Sequence, residues 1–294
     1  MTPPLARLAV VGTGLIGASA ALAARRAGVG RVTGWDAEPE ALRVAAGRGA
    51  VEPAGSLEEA LAGAELALVA VPVADLPRVV VGALESAPEA CTVTDAGSTK
   101  GAVCAAAGGD PRFVGGHPIS GAETRGPERA TAELFEGATW FLTPGATTEP
   151  GRFRLVHGFV AALGARPVAI DPASHDRLVA LTSHLPHALA NVLLNQAGAA
   201  RVDGHDPLQA AGGSLRDMTR IAGANPRIWV DIFLDNREAL AAALAEHRRR
   251  VEQLEKALAD GDAGFVARAA CACVRACAPR WRSSPAPTIR SRCS

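Results

Sequence analysis

The stretch that most limits what this chain can fold into is "LARLAVVGTGLIGASAALAARRAG", close to its start. A short apolar strand at residues 5–11 runs into Gly12, Gly14 and Gly17, and an alanine-rich helix follows. Glycines in a G-x-G-x-x-G spacing between a strand and a helix have separate uses. Gly12 permits the turn, Gly14 lets a pyrophosphate approach the backbone at the helix N-terminus, and Gly17 lets the helix pack close to a sheet. The plan then recurs. Apolar strands are predicted at 31–35, 65–71, 91–97, 112–118, 138–145 and 166–172, with helical segments between most of them, one of them opening at Pro39. Short apolar strands alternating with helices predict an α/β fold, a Rossmann-like, mainly parallel sheet covered on both faces.

Asp36 closes the second strand, 24 residues after Gly12. A carboxylate there accepts hydrogen bonds from a ribose diol and repels a 2′-phosphate, which favours NAD over NADP. Arg43, nearby, is the residue that speaks for a phosphate. The strand ends line the ligand crevice of such sheets. Val71 and Pro72 end the third strand on the adenine side, and "DAGSTKG" at 95–101 presents Ser98, Thr99 and Lys100 to the same crevice. The candidate cofactor-binding set is therefore Gly12, Gly14, Leu15, Ile16, Gly17, Asp36, Val71, Pro72 and Ser98. Ser98 also fits a helix N-cap.

"GGHPISGAE" at 115–123 ends the fifth strand. Its glycines suit a tight turn, and Pro118 pushes His117 away from helical geometry. An imidazole pinned at the nicotinamide end of the crevice suits proton transfer, although a structural loop histidine has the same sequence. Beyond residue 172 the strand pattern stops. "SHDRLVALTSHLPHALANVLLNQAGAA" at 174–200 reads as a long apolar helix, kinked or reset at Pro186, with Ser183 and His187 four apart on one face. Arg216 and Arg220 are also four apart, and the pair can grip carboxylates; the flanking "GGSL" and "IAG" read as packed. A solvated face pairing with Asp217 is the alternative. "EHRRRVEQLEK" reads as solvated helix surface, whereas "IWVDIFL" and "LAAAL" read as core that also forms a dimer surface. The domain reading is 5–172 for dinucleotide binding, 173–267 for a helical dimerisation and substrate domain, and 268–294 for an irregular tail.

Composition excludes several classes. Lys+Arg and Asp+Glu are 30 each, a formal net charge of zero, which argues against a nucleic-acid binder. No long unbroken apolar window predicts a membrane span, and "MTPPLARLAVVGTGLIG" does not read as a signal peptide, so a cytoplasmic enzyme is expected. Cys91, Cys104, Cys271, Cys273, Cys277 and Cys293 lack ligand spacing, so no metal site is expected.

The motifs "GxGLIG", "DxGSTKG", "GGHPISGAE", "SHDRLVALTSHLPH" and "GGSLRDMTRIAGANPRIWVDIFLDN" occur in that order over roughly residues 7–260. Together they resemble the prephenate dehydrogenase family. The resemblance implies an NAD-dependent oxidative decarboxylation of prephenate to 4-hydroxyphenylpyruvate in tyrosine biosynthesis, with the active site between a dinucleotide domain and an all-helical dimerisation domain. It implies that His117 accepts a hydrogen bond from the ring hydroxyl and that Ser98 orients it beside the nicotinamide. Arg220 matches the arginine that binds the ring carboxylate, and Ser183 and His187 match residues near the substrate side chain. His175, Asp176 and Asp217 would hold the pocket together, and Trp229 matches a buried tryptophan. Glu123 is a candidate contact to the substrate side chain, and an acid there would favour arogenate over prephenate.

Two departures stand out. Ala122 replaces a threonine common in the family, and the chain after the helical part is short for the regulatory domain some relatives append, so feedback by tyrosine through such a domain is not expected. The rival readings are arogenate dehydrogenase, a 3-hydroxy acid dehydrogenase and a catalytically inactive NAD-binding regulatory protein. Lys100 and Lys256 do not suit the second, and the joint presence of His117 and Arg220 counts against the third.

Overall fold

The computed structural model describes residues 5–120, 126–223 and 225–271. Eight strands form one sheet: β1 (Arg7–Val11), β2 (Arg31–Trp35), β3 (Glu52–Pro53), β4 (Leu66–Val69), β5 (Thr92–Asp95), β6 (Phe113–Pro118), β7 (Thr139–Pro144) and β8 (Arg166–Ala169). Their order is β3-β2-β1-β4-β5-β6-β7-β8, parallel throughout except for the antiparallel pair β6–β7. Seven of the eight strands were expected. β3 escapes because it is two residues long and contains Pro53, which a sheet tolerates at its edge.

The helices are α1 (Leu15–Arg26), α2 (Pro39–Gly47), α3 (Leu57–Leu61), α4 (Leu76–Ser86), α5 (Gly101–Ala106), α6 (Pro150–Ala162), α7 (Pro172–Val179), α8 (Leu185–Ala199), α9 (Gly213–Thr219), α10 (Pro226–Asp235), α11 (Arg237–Ala259) and α12 (Ala263–Cys271). The sheet is covered on both sides, as its unbroken apolar strands require. Leu8, Val10, Leu66, Leu68, Val114 and Leu142 join the alanines of α1 and Val156 and Val160 of α6 in one core. Ala9, Val11, Ala67, Val69 and Val93 point the other way, into a second core with Leu61 of α3, Val80 of α4 and Val103 of α5. This alternation is the period-two geometry of a strand buried on both faces.

The chain divides into two compact units, Met1–Leu240 and Ala241–Ser294, and the division falls within α11. All site residues considered below lie in the first unit. The second carries an exposed, ion-paired helix surface, with Glu246 bound to Arg249 and Arg250, Arg248 to Glu252 and Lys256 to Asp260. No helix among the described residues is long and apolar enough to cross a membrane.

Candidate active site

The glycine loop follows β1 and lies against the residues that follow β4, at the C-terminal ends of these strands. Gly12 has φ +90°, and a Cβ there would meet the Ala70 carbonyl and the Val71 side chain. A Cβ on Gly17 would collide with the Gly12 carbonyl oxygen. Gly14 differs from both. A Cβ there meets nothing within 4 Å, so its missing side chain opens space in front of α1. The N-cap of α1 is Gly14 itself, with no side-chain cap. The N–H groups opening the helix at Leu15 and Ile16 are thus available to a pyrophosphate. Asp36 is held beside this loop: its Oδ2 accepts from the Thr13 N–H (2.5 Å) and Oγ1 (3.0 Å), and its Oδ1 accepts from the Glu38 N–H (2.9 Å). Carboxylate oxygens have lone pairs to spare for a ribose diol. Arg43 is committed to Glu40 through two bonds at 2.8 and 2.5 Å, which weakens the case for a 2′-phosphate. Val71 is half-buried against Gly12, and Pro72 is exposed. The cradle fits a dinucleotide.

Gly115 and Gly116 do not make a turn, contrary to the sequence expectation. Both lie inside β6, and their role is close approach. A Cβ on Gly116 would collide with the Asp95 carbonyl oxygen and lie 2.9 Å from Trp140 Nε1; one on Gly115 would collide with Thr143 Oγ1. Lys100 also departs from expectation. It does not face the crevice: it is fully buried and ion-paired with the equally buried Asp95. Ser98 is half-buried and is not a helix cap, since the N-cap of α5 is Lys100.

The end of α5 is capped in trans. Asp176, on α7, accepts from the Lys100 N–H through Oδ1 and from the Gly101 N–H through Oδ2, both at 2.8 Å. Its Oδ1 also meets His175 Nδ1 at 2.8 Å, and His175 Nε2 meets His117 Nδ1 at 2.8 Å. Burial alone raises the Asp176 carboxyl, but the His175 bond and the two backbone N–H groups outweigh it and leave its pKa below the ordinary carboxylate value. An ionised Asp176 only accepts, so His175 donates to it from Nδ1, and a neutral His175 ring then accepts at Nε2. His117 must then donate from Nδ1, which leaves its Nε2 as the acceptor. Burial first, then His175, Lys100 and His184, hold the His117 pKa well below the ordinary histidine value. Its ring is thus neutral near pH 7.

The long helix expected at 174–200 is interrupted. Between α7 and α8, residues Ala180–His184 form a π-turn, closed by the Leu185 N–H donating to the Ala180 carbonyl. Pro186 is the cause: it offers no N–H to Thr182, and its ring crowds that carbonyl. The widened turn buries His184 and His187 but leaves Ser183 exposed, so Ser183 and His187 do not share a buried face as four-residue spacing predicts. His187 stacks on half-buried Trp229 of α10, with centroids 3.6 Å apart and an interplanar angle of 8°. Asn236, just past α10, donates from Nδ2 to the Asp176 carbonyl (2.8 Å) and lies 3.2 Å from His184 Nδ1. That bond makes His184 Nδ1 an acceptor, and burial lowers the His184 pKa to about 4.

Arg216 and Arg220 are exposed, and no residue of α9 is buried, so the flanking segments are less packed than the sequence suggests. Glu123, with Ala122, lies outside the described residues. Among the described residues no group of three or more histidine, cysteine or carboxylate side chains is arranged to hold a metal.

Residues 20–169 match the sequence model of the prephenate dehydrogenase nucleotide-binding domain, and residues 171–269 match that of its dimerization domain. The chain belongs to the prephenate dehydrogenase family. The prephenate dehydrogenase of Bacillus subtilis is 31% identical over 263 residues, covering 86% of this chain and 70% of that one. The Aquifex aeolicus prephenate dehydrogenase, solved with hydroxyphenyl propionate and NAD+, superposes with a TM-score of 0.87 at 29% identity, covering 94% of this chain and 98% of its own. The arogenate dehydrogenase of Synechocystis gives 0.83 at 26% identity, over 94% of this chain and 99% of its own.

This prephenate dehydrogenase family member is an NAD-dependent dehydrogenase, and the reading as an inactive NAD-binding protein finds no support among its relatives. Three site residues were not singled out from the sequence. Asp95, His184 and Asn236 all stand inside motifs that were quoted, in "DAGSTKG", in "SHDRLVALTSHLPH" and at the end of "IWVDIFLDN", but nothing in a spacing reveals what a buried side chain holds.

Proposed function

We propose that the protein oxidises and decarboxylates prephenate to 4-hydroxyphenylpyruvate, with NAD rather than NADP. Residues 5–172 carry the cofactor and residues 173–267 complete the substrate pocket and a homodimer. The observation that carries the reading is the bond sequence Asp176–His175–His117, which turns the free nitrogen of a neutral imidazole into an acceptor. Gly12, Gly14, the α1 N-terminus and Asp36 would hold NAD, which would supply a hydride acceptor for the hydroxyl-bearing ring carbon. Loss of carbon dioxide then gives an aromatic ring, and this drives the step.

The protein's own work is to bind, orient and remove one proton. His117 Nε2 accepts the hydroxyl proton, and Ser98 orients the hydroxyl beside the nicotinamide. Arg220, with Arg216, supplies charge for the ring carboxylate, Ser183 and His187 are assigned to the substrate side chain, and Glu123 is a further candidate contact to it. Asp36 binds the adenosine ribose. Unpaired Cys91 and Cys104 fit a reducing, cytoplasmic setting, which subcellular fractionation checks.

The likeness to the Synechocystis arogenate dehydrogenase supports arogenate as the second reading. Both are tested by following reduced-cofactor absorbance with prephenate and with arogenate, each with NAD and NADP. The expected result is the highest kcat/KM for prephenate with NAD. A preference for arogenate reverses the substrate assignment, and no turnover with either removes it.

A further inference from the structure

The backbone ladder between β5 and β6 ends early. Thr94 pairs with Val114, and no pair follows, although β6 continues to Pro118. Past that point the Asp95 side chain takes over. Its Oδ1 accepts from the Gly116 N–H at 2.9 Å, and its Oδ2 accepts from the Gly97 N–H at 2.8 Å. Gly116 immediately precedes His117, and Gly97 immediately precedes Ser98. One carboxylate therefore holds the backbone in front of both residues assigned to the reacting centre.

We propose that Asp95, with Lys100 as its buried counter-ion, is a positioning residue that fixes Ser98 and His117 relative to each other. This rests on the reading of His117 and Ser98 given above.

The chemistry of the clamp specifies the residue types. Asp95 Oδ2 also receives the Lys100 ammonium, and both side chains are fully buried. A carboxylate in that setting needs a counter-charge. An asparagine amide would turn an N–H₂ group toward donors on one side or the other. The glycines follow from the same crowding: a Cβ on Gly97 would collide with Leu76 and lie 3.1 Å from Asp95 Oδ2. Lys100 joins two halves of the site, its ammonium on Asp95 and its backbone N–H on Asp176. The groups around the His117 ring are thus His175 and Asp176 from α7, His184 from the π-turn, and Lys100 with Asp95 from the β5 side. After burial and His175, Lys100 disfavours a second proton on His117.

The test compares D95N/K100M, K100M and H117N with the native enzyme, scaled to NAD-binding sites. The double variant strands no buried charge, so it is the variant of choice for folding. Its kcat should fall by about 100-fold, the scale of a 1 Å misplacement, with the Kd for NAD unchanged. K100M strands the buried Asp95 carboxylate and so perturbs the clamp. Its kcat should fall as well, while the acid limb of its kcat/KM profile moves to higher pH. A purely structural role predicts a lower Tm with native kcat per site and a native acid limb, and that result overturns the proposal. H117N separates the two readings: full activity in H117N defeats the assignment of His117, whereas an inactive H117N beside a fully active double variant defeats only the positioning role of Asp95.

Discussion

The His117 imidazole carries its single proton on either nitrogen, and its neighbours decide which. Asp176, ionised and fed by two backbone N–H groups, fixes His175, and His175 fixes His117. In D176N the amide either turns its N–H₂ toward these donors or donates to His175 Nδ1. The latter reverses both rings and puts the His117 proton on Nε2, where an acceptor is needed. We predict a fall in kcat of roughly 10²–10⁴-fold, by analogy with the loss of the orienting carboxylate in serine proteases, with the Kd for NAD little changed. A native kcat in D176N would mean that the chain of bonds does not set the tautomer. The pH dependence follows with a definite sign. Protonated His117 cannot accept, so activity is present above its pKa and lost below it. Because burial and nearby charge hold that pKa well below the ordinary value, kcat/KM should be level through neutrality and its acid limb should lie below about pH 6.5. A limb at or above that pH in the native enzyme contradicts this assignment.

At the level of elements, the π-turn at Ala180–His184 is where the helical segment gains its special geometry. P186A restores an N–H that can bond to the Thr182 carbonyl, and an ordinary α-helix then becomes available. Removing the extra residue of the π-turn rotates His184 away from Asn236 and shifts His187 on Trp229. We predict a drop in kcat of about tenfold or more with Tm unchanged or raised, measured side by side on one preparation. Native kcat with a lowered Tm would show that packing, not Pro186, holds the turn. Pro186 was legible as a disturbance because its missing N–H is a property of the residue. That the disturbance is a π-turn, and that it buries His184 while exposing Ser183, depends on packing against α10 and was not. The glycine loop and seven of the strands were legible for the first reason, since Gly12, Gly17 and the apolar runs act locally. The Asp95 clamp was not, because an aspartate at the end of a strand looks the same whether it faces water or binds Gly97, Gly116 and a buried lysine.

For the molecule as a whole, one chain leaves much apolar surface open. In the first unit, α10 buries only Ile232 and exposes Ile228, Val230 and Leu234, the last of them 60% exposed. Nearby segments expose Leu181, Val192 and Met218. In the second unit, Leu244, Val251 and Leu258 are exposed on α11 and stand seven residues apart, so they form one stripe along the helix. Scattered apolar residues are ordinary on a surface, but a stripe along α11 together with three exposed apolar residues on α10, in residues that match a dimerization domain, is not. A homodimer would close these surfaces by symmetry, each meeting surface on a second copy. Sedimentation velocity at micromolar concentration should therefore give twice the mass of one chain. V251D places a carboxylate in the middle of the α11 stripe, where desolvation opposes association. The dimer Kd should rise by about 100-fold, the equivalent of roughly 2–3 kcal/mol, while circular dichroism stays native because Val251 is half exposed within its own chain. A native enzyme that sediments as a monomer, or a V251D variant as tightly dimeric as the native one, removes α11 from the interface.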